Sequence, residues 1–203
     1  FYLFSKERDQ GRWVMVDSKI WEVLGASQHR MALRWTEEVH RSPHMKVYQR
    51  FSQEELLRRS ERLFERLVEW LKESMAKQEM GKVFVHLGKE RYKENFPLCE
   101  VHYAFFLIKR VLWDFLLAEN CFSDSLGLYK VMEAMEQLNA FFDLIVFYTI
   151  RGYMEEMAQS LVKEKGWDDE EARKYFFPGS FYGATSELFD REKRRHGGLQ
   201  TER

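Results

Sequence analysis

The stretch His86–Leu116 reads HLGKERYKENFPLCEVHYAFFLIKRVLWDFL. Its first half is charged and amphipathic. With Val83, Phe84, Leu87 and Tyr92 as the apolar set, the period predicts a helix over about Glu79 to Asn95. Asn95-Phe96-Pro97 breaks that helix. Pro97 fits the first turn of another, where its missing N–H costs nothing. Leu98, Val101, Phe105, Ile108, Leu112 and Phe115 then recur at three- and four-residue spacing. Phe106, Leu107, Val111 and Trp113 make the opposite side apolar as well. A helix apolar nearly all round is a central one. Yet Cys99, Glu100, His102 and Tyr103 stand near its start, and the function of the chain turns on what that polar group does.

Upstream, Phe1-Tyr2-Leu3-Phe4 and Arg12-Trp13-Val14-Met15-Val16 read as two short strands about Asp9-Gln10-Gly11. From Asp17 the period becomes helical, through Ile20, Val23, Leu24, Met31, Trp35 and Val39. Gly25 is a candidate break and Ser42-Pro43 the end. Ser52-Gln53-Glu54-Glu55 is a capping box. The helix it opens carries Leu56, Leu63, Leu67, Trp70 and Leu71 on one face. Arg58, Arg59, Glu61, Arg62, Glu65, Arg66 and Glu69 cover the other, as a solvated face laced with i,i+4 pairs. Downstream, Ser123 or Asp124 is the expected cap of a very long helix, about Ser125 to Glu164, that either kinks near Gly152 or projects. A short helix over Asp168 to Phe177 stops at Pro178-Gly179, and the charged tail is expected to be loosely ordered. The expected division is a hairpin appendage over residues 1–16, a helical domain over 17–166, and a short helix with its tail over 167–203. The expected fold is all-α, globin-like or bundle-like, with one very long helix and the short N-terminal β-hairpin.

Composition narrows the function. The chain has 203 residues, 45% apolar and 16% aromatic, which suffices for one sizeable core. Its 32 basic and 33 acidic residues leave a net charge of −1, with no field to draw nucleic acid or anionic lipid. No apolar run reaches the roughly 18 residues of a membrane span, so no membrane insertion is expected. No signal peptide is visible, and a cytoplasmic location is expected. Cys99 and Cys121 are read as reduced core thiols.

Several chemistries compete for the polar group. Cys99 and His102 have the i,i+3 spacing of two metal ligands on a helix, with His86 as a third candidate. No second paired motif completes such a site. One histidine in a phenylalanine-rich sleeve could be a haem ligand, but aromatic stripes at helical spacing are more often core. Glu100, His102, Lys89, Glu90 and Arg91 could be called an acid/base group. No nucleophile elbow, phosphate loop or HExxH accompanies them. Asp124-Ser125-Leu126-Gly127 reads better as a helix cap than as a phosphoacceptor turn. The preferred reading is therefore structural, with no metal, no cofactor and no catalytic residue.

Leu87-Gly88-Lys89-Glu90-Arg91, then Phe96-Pro97-Leu98-x-Glu100-Val101, then Ile108-Lys109-Arg110-x-Leu112-Trp113 form an ordered set. The set resembles the N-terminal sensor domain of RsbRD-type RsbT co-antagonist proteins. Arg34-Trp35, Phe51 to Leu56, Phe141-Phe142-Asp143 and Arg151-Gly152-Tyr153 are compatible, so the resemblance covers roughly Ala26 to Tyr153. It implies an all-helical sensory or regulatory module, usually dimeric and normally fused to an output domain. Asp168 to Arg203 is too short for such a domain. The family offers no catalytic residue to carry over.

On that basis Glu100, His102, Tyr103, Phe105, Phe106 and Arg110 are expected to form a structural corner or ligand pocket floored by Phe105 and Phe106. Arg110 and Asp114 are expected to pair at i,i+4, and Glu90 and Arg91 to reach Glu100 or Arg110. Leu128, Val131, Met135, Leu138, Phe142 and Ile145 form a heptad-like seam on the long helix. Met132, Phe141 and Tyr148 make a second apolar flank, expected to be a homodimer interface. The expected function is a non-enzymatic sensory, regulatory or scaffolding domain that contacts an unidentified regulatory protein. A small-molecule, haem or metal sensor is the alternative.

Overall fold

A computed structural model describes residues 18–71, 77–119 and 127–177. All regular structure among them is helical: α1 (Ser18–Ala26), α2 (Gln28–Arg41), a 3-10 turn (Tyr48–Arg50), α3 (Gln53–Leu71), α4 (Lys77–Lys93), α5 (Leu98–Ala118), α6 (Gly127–Lys165) and α7 (Asp169–Phe176). The hairpin expected over residues 1–16 lies outside the described residues. So do Cys121, the cap expected at Ser123 or Asp124, and the tail from residue 178.

Helix ends follow local chemistry. Ser27 separates α1 from α2, two residues past Gly25. Ser52 accepts the Glu55 amide on its Oγ at 3.2 Å. Glu55 does not reach back as a capping box would; it pairs with Arg58 and Arg59 of its own helix. α4 closes with a Schellman turn. Asn95 takes a left-handed φ of 59°, the Phe96 amide donates to the Arg91 carbonyl, and the Asn95 amide donates to that of Tyr92. Pro97 stands just ahead of α5 as its extended N-cap. Gly166 (φ 70°) ends α6, and Asp168 caps α7 by accepting the Glu170 and Glu171 amides.

α5 is buried along much of its length, through Val101, Ala104, Phe105, Leu107, Ile108, Val111, Leu112 and Leu116. Around it stand Leu56, Phe64 and Leu67 of α3, Met80 and Phe84 of α4, and Leu138, Phe142 and Ile145 of α6. Phe84 links the layers, edge-on to Phe141 at 6.2 Å and to Phe105 at 6.5 Å between centroids. Burying each such ring contributes roughly 2–3 kcal/mol.

α4 and α6 form the most extensive helix pair in the fold. They meet backbone to backbone. A Cβ on Gly88 would overlap the Thr149 carbonyl and lie 2.7 Å from the Tyr153 nitrogen. One on Gly152 would overlap the Val85 carbonyl and lie 2.8 Å from the Val85 Cα. Gly81, a further contact of α4, faces the Tyr148 ring.

Candidate functional site

The residues around the α4–α5 turn form a corner built on Phe96. Its ring is stacked by Phe51 at 5.1 Å and tilted against Tyr48 at 4.4 Å. The Arg59 and Arg91 guanidiniums lie over it at 5.9 Å and 5.2 Å. Both arginines also hold Glu94, Arg59 at 2.8 Å. Tyr153 of α6 donates to the Phe96 carbonyl at 2.9 Å. Four elements thus converge on one residue: the 48–51 segment, α3 and the end of α4 on its ring, and α6 on its carbonyl.

Glu100 locks the next layer. Its carboxylate is buried and accepts the Val47 amide at 2.9 Å and the Tyr48 amide at 3.4 Å. Gln49, in the same 3-10 turn, donates to the Val39, His40 and Ser42 carbonyls at the end of α2. The chain from α2 to α3 is therefore pinned at both ends. Trp35 adds a bond from Nε1 to the Ala104 carbonyl of α5, 3.2 Å long. Burial holds the Tyr48 phenol well above its ordinary range; Arg59 opposes this, while Glu100 and Glu94 add to it. Tyr153 is raised too, by burial and then by Tyr92 and Cys99.

The structure separates the predicted site residues into two groups. Glu100 and Phe105 are inside. Tyr103 is half-buried, between His44 and Phe106. His102 is exposed, and Phe106 is 51% exposed. Phe105 and Phe106 therefore point about 100° apart around α5, one inward and one toward solvent, and do not floor one pocket. Cys99 is exposed, contrary to the core thiol expected of it. Arg110 pairs with Glu38 of α2 and not with Asp114. Arg91 serves Glu94 and Phe96, and Glu90 pairs with His86 at 3.4 Å; neither meets Glu100 or Arg110. Among the described residues, no three His, Cys, Asp or Glu side chains converge as a metal site.

Of the flank assigned to an interface, Met132 is 61% exposed, Tyr148 is half-buried over Gly81, and Phe141 is wholly inside. Phe141 packs against Trp70, Phe84 and Phe142, because α3 and α4 cover that side of α6. Met135, a member of the heptad-like seam, is exposed, while Leu138, Phe142 and Ile145 of that seam are buried. Sequence reasoning missed Tyr48, Gln49 and Arg59 in the corner. The aromatic pair Tyr48 and Phe51, three residues apart beside the Ser52 cap, was the available signal. Nothing local marks Gln49.

The corner fixes four elements, and the outer face of α5 presents Phe106 and Leu117 to solvent. Among the described residues, no helix is long and apolar enough to cross a membrane. No curated protein and no solved structure matches the chain. Residues 29–164 match the family model described as the RsbT co-antagonist protein rsbRD N-terminal domain, which takes in the whole corner from Trp35 to Tyr153. The chain belongs to this family of regulatory and sensory domains.

Proposed function

We propose that this chain is a non-enzymatic regulatory or scaffolding domain in cytoplasmic stress signalling. It works as a homodimer and through contacts with a regulatory protein. The observation that carries this reading is a set of large apolar side chains left exposed on α5 and the first half of α6. Phe106, Leu117, Met132 and Met135 are all exposed there, and such a surface is what a protein-contact module keeps. The corner supports the reading from the other side. It spends Glu100, Arg59, Arg91 and Glu94 on one another and on the backbone, which suits a rigid support for that surface.

Light scattering on the purified chain tests it. The expected mass is about twice the 24.6 kDa of one copy. A monomer across micromolar concentrations would overturn the dimer. A Soret band, or near-stoichiometric metal lost on His102→Ala, would favour a cofactor-binding sensor instead.

A further inference from the structure

The outer face of α5 has a pattern that complements itself. Phe106, Arg110, Trp113 and Leu117 follow one another at helical spacing along that face. Phe106 and Leu117 are mostly bare, and Trp113 is half-buried. Arg110 and Asp114 sit on one flank, one turn apart. Within an isolated helix they would pair. Here Glu38 of α2 takes the guanidinium, and Glu38 also holds Arg34 at 3.1 Å. A guanidinium has five donors, so one carboxylate does not exhaust it. Asp114 is exposed and makes no ion pair among the described residues.

Resting on the dimer reading above, we propose that α5 pairs antiparallel with α5 of a second copy about a two-fold axis at the level of residue 112. In that register Arg110 of each copy meets Asp114 of the other, on the same flank. Phe106 of each copy lands beside Leu117 of the other, and the two Trp113 rings lie near the axis. Positive and negative charge stand at equal distances on either side of one point, and bare apolar side chains stand beyond them. An isologous contact requires this arrangement, because residue i meets j while j meets i. It also gives Asp114 a partner and covers the exposed large apolar side chains of the helix. Lys109 lies on the opposite flank, its ammonium 5.9 Å from the Phe142 ring of α6 in the same copy.

Charge reversal tests the register. Arg110→Glu places two acids together at both symmetry-related contacts, and Asp114→Arg places two cations there. Each variant alone should weaken its homodimer, with a dissociation constant raised about tenfold or more. Mixed in equal amounts, the two should recover a dimer of near wild-type affinity, since both contacts are then of opposite sign. Sedimentation of each variant and of the mixture reads this, with circular dichroism confirming that each is folded. Leu117→Glu is an independent variant and should also weaken the dimer. If the wild type is dimeric but the single variants dissociate no more readily, or the mixture fails to recover, the register is wrong while the dimer stands. If the wild type is a monomer, the dimer reading itself fails.

Discussion

Gly152 in α6 lies directly against the backbone of Val85 in α4, with no side chain between them. Gly88 repeats the contact against Thr149, so the two helices touch twice through their main chains. Such an approach brings Cα–H groups onto carbonyls, a contact that recurs at helix–helix interfaces.

Gly88→Ala and Gly152→Ala are therefore expected to force the helices apart. Each should lower stability by about 2 to 3 kcal/mol, even though alanine gains about 1 kcal/mol in helix propensity. Gly25→Ala gives the opposite sign, because nothing lies within 4 Å of its Cβ position. It should be neutral or stabilise by up to about 0.5 kcal/mol. Urea denaturation of the three variants checks the contrast.

Removing the Glu100 carboxylate unpins the 47–48 segment. Glu100→Ala leaves the Val47 and Tyr48 amides without their acceptor and should cost about 2 to 3 kcal/mol. Hydrogen exchange gives a specific readout. The Val47 amide should lose protection more than amides in the middle of α3, which keep their bonds; equal loss at both would argue against a local role.

Asn95 holds the left-handed position that closes α4. Asn95→Ala should destabilise by about 1 kcal/mol, because a Cβ is disfavoured at positive φ and asparagine tolerates it better. Asn95→Gly should be neutral or slightly stabilising. Thermal melts that rank alanine above glycine here would contradict the Schellman assignment.

Burial makes the folded chain hold the Tyr48 proton more tightly than the unfolded chain does. The resulting stability is whole below about pH 10, the ordinary phenol value, and is lost progressively as pH rises above it. Tyr153 contributes in the same direction. Alkaline denaturation should therefore be steep, and Tyr48→Phe should make it shallower. Absorbance near 295 nm is expected to show one phenol fewer titrating late.

The Thr149 hydroxyl is buried without a hydrogen-bond partner. Its valine replacement keeps the shape and removes the desolvated group. Thr149→Val should be neutral or stabilising by about 1 kcal/mol, read from the urea midpoint.

Helix existence and helix ends were legible in the residues, because both are set within a few positions of chain. The 3.6-residue period marks α2 to α6. Asn95-Phe96-Pro97 announces a break followed by a proline start, and Ser52 announces a cap. The place of Glu100 in the first turn of an apolar helix was also legible. Its partners were not: the Val47 and Tyr48 amides lie more than fifty positions away in sequence. Arg110 shows why local rules fail there. An i,i+4 pair contributes only about 0.2–0.5 kcal/mol, so a well-placed Glu38 from another helix outcompetes Asp114. Phe141 and Phe106 show it for burial. Both sit on helices rich in apolar residues on several faces, so periodicity cannot say which face meets neighbours. Only the packing of α3 and α4 places Phe141 inside, and Phe106 stays half exposed because no described helix covers its side of α5.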